Sequence, residues 1–418
     1  MSKRTPPANS ASPGGADGEK TPTEKAAVRF PLDDHPPAAR GLEALSGLCR
    51  QQQLQARKSA GPPPDRPGAG RASGGQEEPT APELPALEAA PCAPLMGRPG
   101  AVRSPAGEWD ELQRQRERAP LDPARYRALA ALAEAHGDPD RGALMQEIAR
   151  ALEGEGGIEA EAPRLTLSQE DWQAILRFGL RSVAFDVFAI AGRVLCAAEA
   201  EPAPELGAGR PFTMGRGAGS RATGEALLAA VRILGLRAPD VSMSSAQSPP
   251  LRSVNTLPPQ ILVGRMAVKE EPLPSAHLRF FAGRALACFH PDLAAPRLLS
   301  AQQLELRLRQ LAMAVADRGP VPEAVLDLAR QVPAKGRGRL HDLLEMLHRD
   351  GVTATSLRQS ARFCVNRAGL VVAGSVEAAV AALRAKRGGS AELEDLLAFA
   401  VSGPYYETRF GRQPAFAP

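Results

Sequence analysis

Two stretches decide how this chain is read: residues 258–291, PPQILVGRMAVKEEPLPSAHLRFFAGRALACFHP, and residues 361–383, ARFCVNRAGLVVAGSVEAAVAAL. In the first, Pro258-Pro259 makes a turn and Gln260–Val263 is a short apolar run bounded by Gly264, the pattern of a buried strand. A connector, Met266–Pro274, leads into Ser275 to about Phe289. There Leu278, Phe281, Ala285, Leu286 and Phe289 give the pattern of a buried helix. The second stretch reads as one helix over 354–369 and another over 376–385, separated by Gly374-Ser375.

Outward from these, Val241 and Met243 alternate as a strand, and Val254–Leu257 precedes the Pro-Pro turn as another. Ser300-x-x-Gln303 is a capping box opening a helix through Ala316, and further helices are expected at 322–331, 339–348 and 391–401. Leu393, Leu396, Leu397, Phe399 and Ala400 form an apolar face, after which Tyr405, Tyr406 and Phe410 gather aromatic bulk that seals the core.

The order of elements from about Asp240 resembles the gluzincin metallopeptidases, the family that includes the prenyl-protein protease and its bacterial heat-shock relatives. In that family an edge strand precedes a helix carrying HExxH, and a later helix carries ExxxD, often followed by Arg-Ala-Gly. The two His and the later Glu bind zinc, and the first Glu is the general base. Zinc needs three protein ligands and an open position for water, and i, i+4 spacing puts both His on one helix face. Here Asn366-Arg367-Ala368-Gly369-Leu370 matches the family's Asp-Arg-Ala-Gly-Leu, whereas Arg284-Ala285-Leu286-Ala287-Cys288 stands in the HExxH register. The resemblance therefore implies four losses: His to Arg284, Glu to Ala285, His to Cys288, and Glu to Arg362. It covers roughly residues 240–385. Two positions that would face a cation carry cations, which repel zinc.

The expectation is a pseudoenzyme with no catalytic residue and no cofactor. Cys288, His290 and Cys364 are the candidates for a residual metal site. Cys364 lies two positions off the ligand register, and buried cysteine more commonly serves as a small hydrophobe. Thiol chemistry at Cys288 or Cys364 beside Arg284 or Arg362 is the alternative reading. His341 and His348, seven apart on one helix, read as surface or packing residues. No GxSxG elbow occurs.

Residues 1–105 hold close to half of the 40 prolines, and such a segment buries too little apolar surface to order itself. Within it, Ala38–Ala56 has leucines at near-helical spacing and reads as a transient helix rather than a docking helix. Residues 108–155 form a helical hairpin, in which Asp122-Pro123 and Asp138-Pro139 supply N-caps and N1 prolines and Gly137 ends the first helix. The phrase RYRALAALAEAHGDPDRGALMQEIARAL, residues 125–152, resembles one tetratricopeptide-type repeat, whose stacks need about three or more units. Residues 164–235 are helical: Ser168-x-x-Asp171 caps Trp172–Phe178, Val183–Ala198 is very apolar, and Gly224–Leu234 is a third helix. The Gly/Pro-rich 201–221 between them reads as a flexible loop, matching no phosphate-binding pattern.

The 418 residues suffice for two or three domains of roughly 100–200 residues each. Aromatics are 4%, so the core is Leu/Val/Ala-rich and mainly helical with a small strand element, an α+β class. Five scattered cysteines without a CxxC argue for free thiols in a reducing compartment. The N-terminus has no apolar signal region, and Val183–Ala198 is interrupted by Asp186 and Arg193, so a cytoplasmic protein without a membrane partner is expected. A net charge of +4 does not by itself call for nucleic acid, and weak nucleic-acid binding through the basic tail stands as a further alternative reading. The basic run Lys335–Arg339 lacks interleaved aromatics and reads as a solvated loop. What remains is a protein-interaction scaffold with an unidentified protein partner.

Overall fold

The computed structural model describes residues 105–154, 160–178, 183–247, 249–316, 321, 323–332 and 334–411. The expected N-terminal tail, its 38–56 helix, and Cys49 and Cys92 lie outside these residues. The architecture is mainly helical with one small mixed sheet.

Helices α1 (Pro105–Arg118), α2 (Pro123–Ala135) and α3 (Pro139–Glu153) open the described chain. The caps are those the sequence announces: Asp122 accepts from the Ala124 N–H at 3.0 Å and Asp138 from the Arg141 N–H at 3.2 Å. Gly137 and Gly154 adopt positive φ at the helix ends. Tyr126, Leu129, Ala130 and Ala133 of α2 are buried with Leu144, Met145 and Ile148 of α3.

The next helices are α4 (Gln169–Arg177), with its Ser168/Asp171 capping box, and α5 (Ala184–Ala198). Strand β1 (Ala208–Pro211) precedes α6 (Ala218–Leu234). The 201–221 stretch is therefore not one loop. Two of its glycines serve close approach: a Cβ at Gly209 would lie 3.1 Å from the Met243 carbonyl oxygen, and one at Gly219 would collide with the Lys269 backbone. Thr223 Oγ1 also donates to the Ala267 carbonyl at 2.6 Å, holding α6 to the backbone after the sheet.

Strands β2 (Asp240–Ser244), β3 (Leu251–Val254) and β4 (Gln260–Val263) complete the sheet, in the order β1-β2-β4-β3. β2 runs parallel to β4, and β1 and β3 are antiparallel to their neighbours. The third strand ends at Val254, earlier than the expected 254–257. The reason is that Asn255 is engaged elsewhere, its Nδ2 donating to the carbonyls of Cys196 and Glu199 at the end of α5, each at 2.9 Å. Thr256 Oγ1 bonds the Pro258 carbonyl at 2.6 Å and so belongs to the turn.

A 3₁₀ turn, Arg265–Val268, leads to α7 (Ser275–Ala287), α8 (Pro291–Leu298) and α9 (Ala301–Val315). Helix α8 has no counterpart in the sequence reading. Pro296 inside it looks like a breaker, while Pro291 at N1 and the His290 cap start it. Helices α10 (Glu323–Gln331), α11 (Ala334–Arg349), α12 (Ala354–Ala373), α13 (Val376–Ala385), α14 (Ser390–Ala400) and α15 (Gly403–Phe410) follow. The basic run Lys335–Arg339 is the first part of α11 rather than a loop, and Arg337 Nε donates to the Val332 carbonyl at 3.0 Å.

Helix α7 is the centre of the main core, lying against α12, α6, α13 and β3. That core runs from Trp109 to Tyr406 and includes the hairpin. Glu147 on α3 accepts the Val376 N–H at 2.6 Å, capping α13, and Arg384 of α13 donates to the Ala151 and Leu152 carbonyls at 2.8 and 3.0 Å. Each helix thus satisfies orphan backbone groups at the other's end. Tyr406 closes the same corner by donating to Asp138 at 2.8 Å, and Tyr405 and Tyr406 are buried as the sequence led one to expect. A second apolar cluster joins α5, α8, α9 and α11. Among the described residues no helix is long and apolar enough to cross a membrane.

Candidate functional site

The two stretches that opened the sequence reading meet where α7 crosses α12. Gly283 and Gly369 lie at the crossing: a Cβ on Gly283 would stand 2.8 Å from Val372 Cβ, and one on Gly369 would stand 2.9 Å from the Phe280 carbonyl oxygen. Backbone approach of this kind requires glycine. It brings Arg284, next to Gly283, and Asn366, one turn before Gly369, into hydrogen-bond range.

Arg284 Nε donates to Asn366 Oδ1 at 2.7 Å. Asn366 Nδ2 donates onward to Glu392 Oε2 at 3.0 Å. Arg362 Nη1 reaches Glu392 Oε1 at 3.2 Å, and Lys386 Nζ reaches Oε2 at 3.4 Å. Cys288 Sγ donates to the Arg284 carbonyl at 3.3 Å. So Arg284, Arg362 and Asn366 converge, with Glu392 from α14 as their anionic centre, while the Cys288 thiol is bonded within its own helix. Ala285 does not join them: it is buried, and its carbonyl accepts from Ser253 Oγ of β3 at 2.7 Å.

The electrostatics follow from this arrangement. Burial opposes ionisation of Glu392, but the Asn366 hydrogen bond and the charges of Lys386, Arg362 and Arg284 outweigh it and hold the carboxyl below its usual range. Burial, with repulsion from Arg297, pulls Arg284 down to about 10. Lys386 is brought down to about 8 by burial and by Arg284, against the attraction of Glu392.

Glu392, Lys386, Arg297 and Arg358 were absent from the sequence reading. One signal was available: Arg358, Arg362 and Asn366 recur every fourth residue of α12 and trace a polar stripe along an otherwise apolar helix. Nothing local marks Glu392, whose partners come from α12 and the end of α13.

The residual metal candidates are dispersed in role. Cys364 is fully buried, its thiol donates to the Leu176 carbonyl at 3.6 Å, and burial pushes it up to about 12. His290 Nδ1 accepts the Asp292 N–H at 3.3 Å as the cap of α8, and its ring packs on Trp172 with centroids 4.4 Å apart. Burial, then Arg193, keeps this imidazole neutral, with its pKa down to about 4. Among the described residues no group of three or more His, Cys, Asp or Glu is arranged to hold a metal ion. His341 lies 3.6 Å from Glu345 on α11, and His348 is exposed.

Arg367, the arginine of the Asn366–Leu370 string, has a structural task. It is buried and forks onto Asp395 through Nε, at 3.0 Å, and Nη2. Its Nη1 also donates to the Ile175 carbonyl at 2.9 Å, and the guanidinium lies over the rings of Phe178 and Phe399. It ties α12 to α4 and α14. No protein-family model, curated protein or solved structure matches this chain.

Proposed function

We propose that the chain is a non-catalytic protein-interaction scaffold, built on a metallopeptidase-like helical core that has lost its zinc site and carrying a tetratricopeptide-like hairpin. One observation carries the reading: the place where the two ligand registers meet is occupied by the hydrogen-bonded chain Arg284–Asn366–Glu392–Arg362. A dication placed about 4 Å from one of these guanidinium groups meets a repulsion of roughly 8 kcal/mol at an effective dielectric of about 20. The first carboxylate available to it, Glu392, is already shared between Asn366, Arg362 and Lys386.

The thiol alternative gains no support from Cys364, whose buried thiol is pushed away from the thiolate that nucleophilic chemistry needs. Cys196, Cys288 and Cys364 are all free, which favours a reducing, cytoplasmic setting. Metal analysis of the purified full chain tests the non-catalytic half: substoichiometric zinc and no turnover of peptide substrates are expected, and one tightly bound zinc per chain overturns it. Crosslinking in cells followed by mass spectrometry tests the scaffold half. Reproducible adducts with a discrete protein are expected, and a chain that crosslinks to no other protein overturns it.

A further inference from the structure

The cation cluster is larger than the hydrogen-bonded chain at its centre. Arg297 of α8 and Arg358 of α12 join Arg284, Arg362 and Lys386 electrostatically: Arg297 acts on both Arg284 and Arg358, and Arg362 acts on Arg358, Arg284 and Lys386. Three of these cations, Arg284, Arg362 and Lys386, act on the one carboxylate Glu392, while Arg297 and Arg358 face only their fellow cations, a balance of 5 − 1 = +4 within this group. The Nε atoms of Arg297 and Arg358 are buried and have no hydrogen-bond partner. Buried donors without acceptors, held among like charges, are costly unless something anionic completes them. The cluster also opens outward, because the side chains of Arg362 and Lys386 are 39% and 31% exposed.

We infer that this cluster is a binding site for a phosphate group, borne by inorganic phosphate or by a small phosphate monoester. The inference rests on the reading that the old metal place is metal-free, and it names what that place holds instead. Glu392 is not the ligand but the brace. It takes one donor each from Arg362 and Lys386 and fixes where their remaining N–H groups lie. A phosphate suits the balance better than a carboxylate. A phosphate monoester carries about −1.5 to −2 at neutral pH and offers three acceptor oxygens, and guanidinium forks match phosphate oxygens in pairs.

The test is calorimetric titration of the full-length chain at constant ionic strength, in a chloride background. Inorganic phosphate, glycerol phosphate and acetate are the probes. Both phosphates are expected to bind and acetate to bind at least tenfold more weakly. Equal binding of the two phosphates assigns recognition to the phosphate group alone, and tighter binding of the ester points to a site that also meets the organic moiety.

The double variant R358Q/R362Q is expected to lose at least tenfold in affinity. K386Q changes a part-exposed side chain and is expected to weaken binding severalfold with an unchanged circular dichroism spectrum. R216Q, in an exposed loop before α6, is expected to bind like the wild type. Should the double variant fail to fold, K386Q alone decides. No heat with millimolar phosphate, K386Q binding as tightly as the wild type, or acetate matching phosphate each overturn the site. A metal-free chain that ignores phosphate overturns this inference alone, whereas bound zinc overturns the non-catalytic reading.

Discussion

Replacing Glu392 by Gln removes the one carboxylate on which Asn366, Arg362 and Lys386 converge while keeping its shape. The cost is the sum of three contacts. The Asn366 hydrogen bond is buried and charge-assisted, worth about 1.5–3 kcal/mol. Arg362 and Lys386 are partly exposed, so each ion pair is screened to about 0.5–1 kcal/mol. The total is roughly 2.5–5 kcal/mol at neutral pH, in the range for opening a buried ionic network.

Glu392 titrates below its usual range in the folded chain, so its stabilisation is complete above the unfolded carboxyl value of about 4.3 and is lost as pH falls through the lower folded value. Urea unfolding of wild type and E392Q, followed by circular dichroism at several pH values, reads both quantities. The two stability curves should stand about 2.5–5 kcal/mol apart at pH 7 and close up as the pH falls below about 4. A gap under about 0.5 kcal/mol at pH 7, or one that stays constant as the pH falls through the acid range, refutes the assignment of Glu392 as the anionic centre.

Two further outcomes follow from the same geometry. Gly283→Ala sets a methyl 2.8 Å from Val372 Cβ and 3.0 Å from Gly369 Cα, so α7 and α12 must separate; a loss of about 1–3 kcal/mol is expected in chemical unfolding, and wild-type stability argues against a tight crossing. Asp292 is raised to about 7 by burial first and by Asp186. A carboxyl raised in the folded state stabilises the fold least when ionised: the penalty grows from about pH 4, where the unfolded group ionises, and levels off above about pH 7. Asp292→Asn should therefore be more stable than wild type at pH 8 and similar to it near pH 4, in urea unfolding at the two pH values; a variant no more stable at pH 8 shows that the carboxylate is not held in an unfavourable place.

The local punctuation of this chain was legible without a structure. Asp122-Pro123, Asp138-Pro139, the Ser168/Asp171 box and the Ser300/Gln303 box all start helices where they stand. A cap is satisfied by backbone N–H groups two or three residues away, so its whole energetics lie within a short window of sequence. The same holds for the apolar periodicity of α7 and α12 and for the strand Gln260–Val263. Arg284, Arg362 and Asn366 were singled out in the sequence only through the family resemblance, and their meeting depends on the crossing of α7 and α12.

Tertiary structure decided the rest. The 201–221 glycines read as loop because glycine is a turn former in isolation; only the partner backbones at Met243 and Lys269 show Gly209 and Gly219 to be contact points of a strand and a helix. Helix α8 holds Pro296 inside it, a residue unfavourable in an isolated helix, within a segment buried against α5 and α12. Most telling is Glu392. Its sequence neighbours on α14 say nothing of its charge environment, since the groups that hold it ionised arrive from α7, α12 and the end of α13. Hydrophobic pattern is periodic and therefore visible along one dimension. Charge balance in a site is a sum over whatever the fold brings near, and that sum exists only in three dimensions.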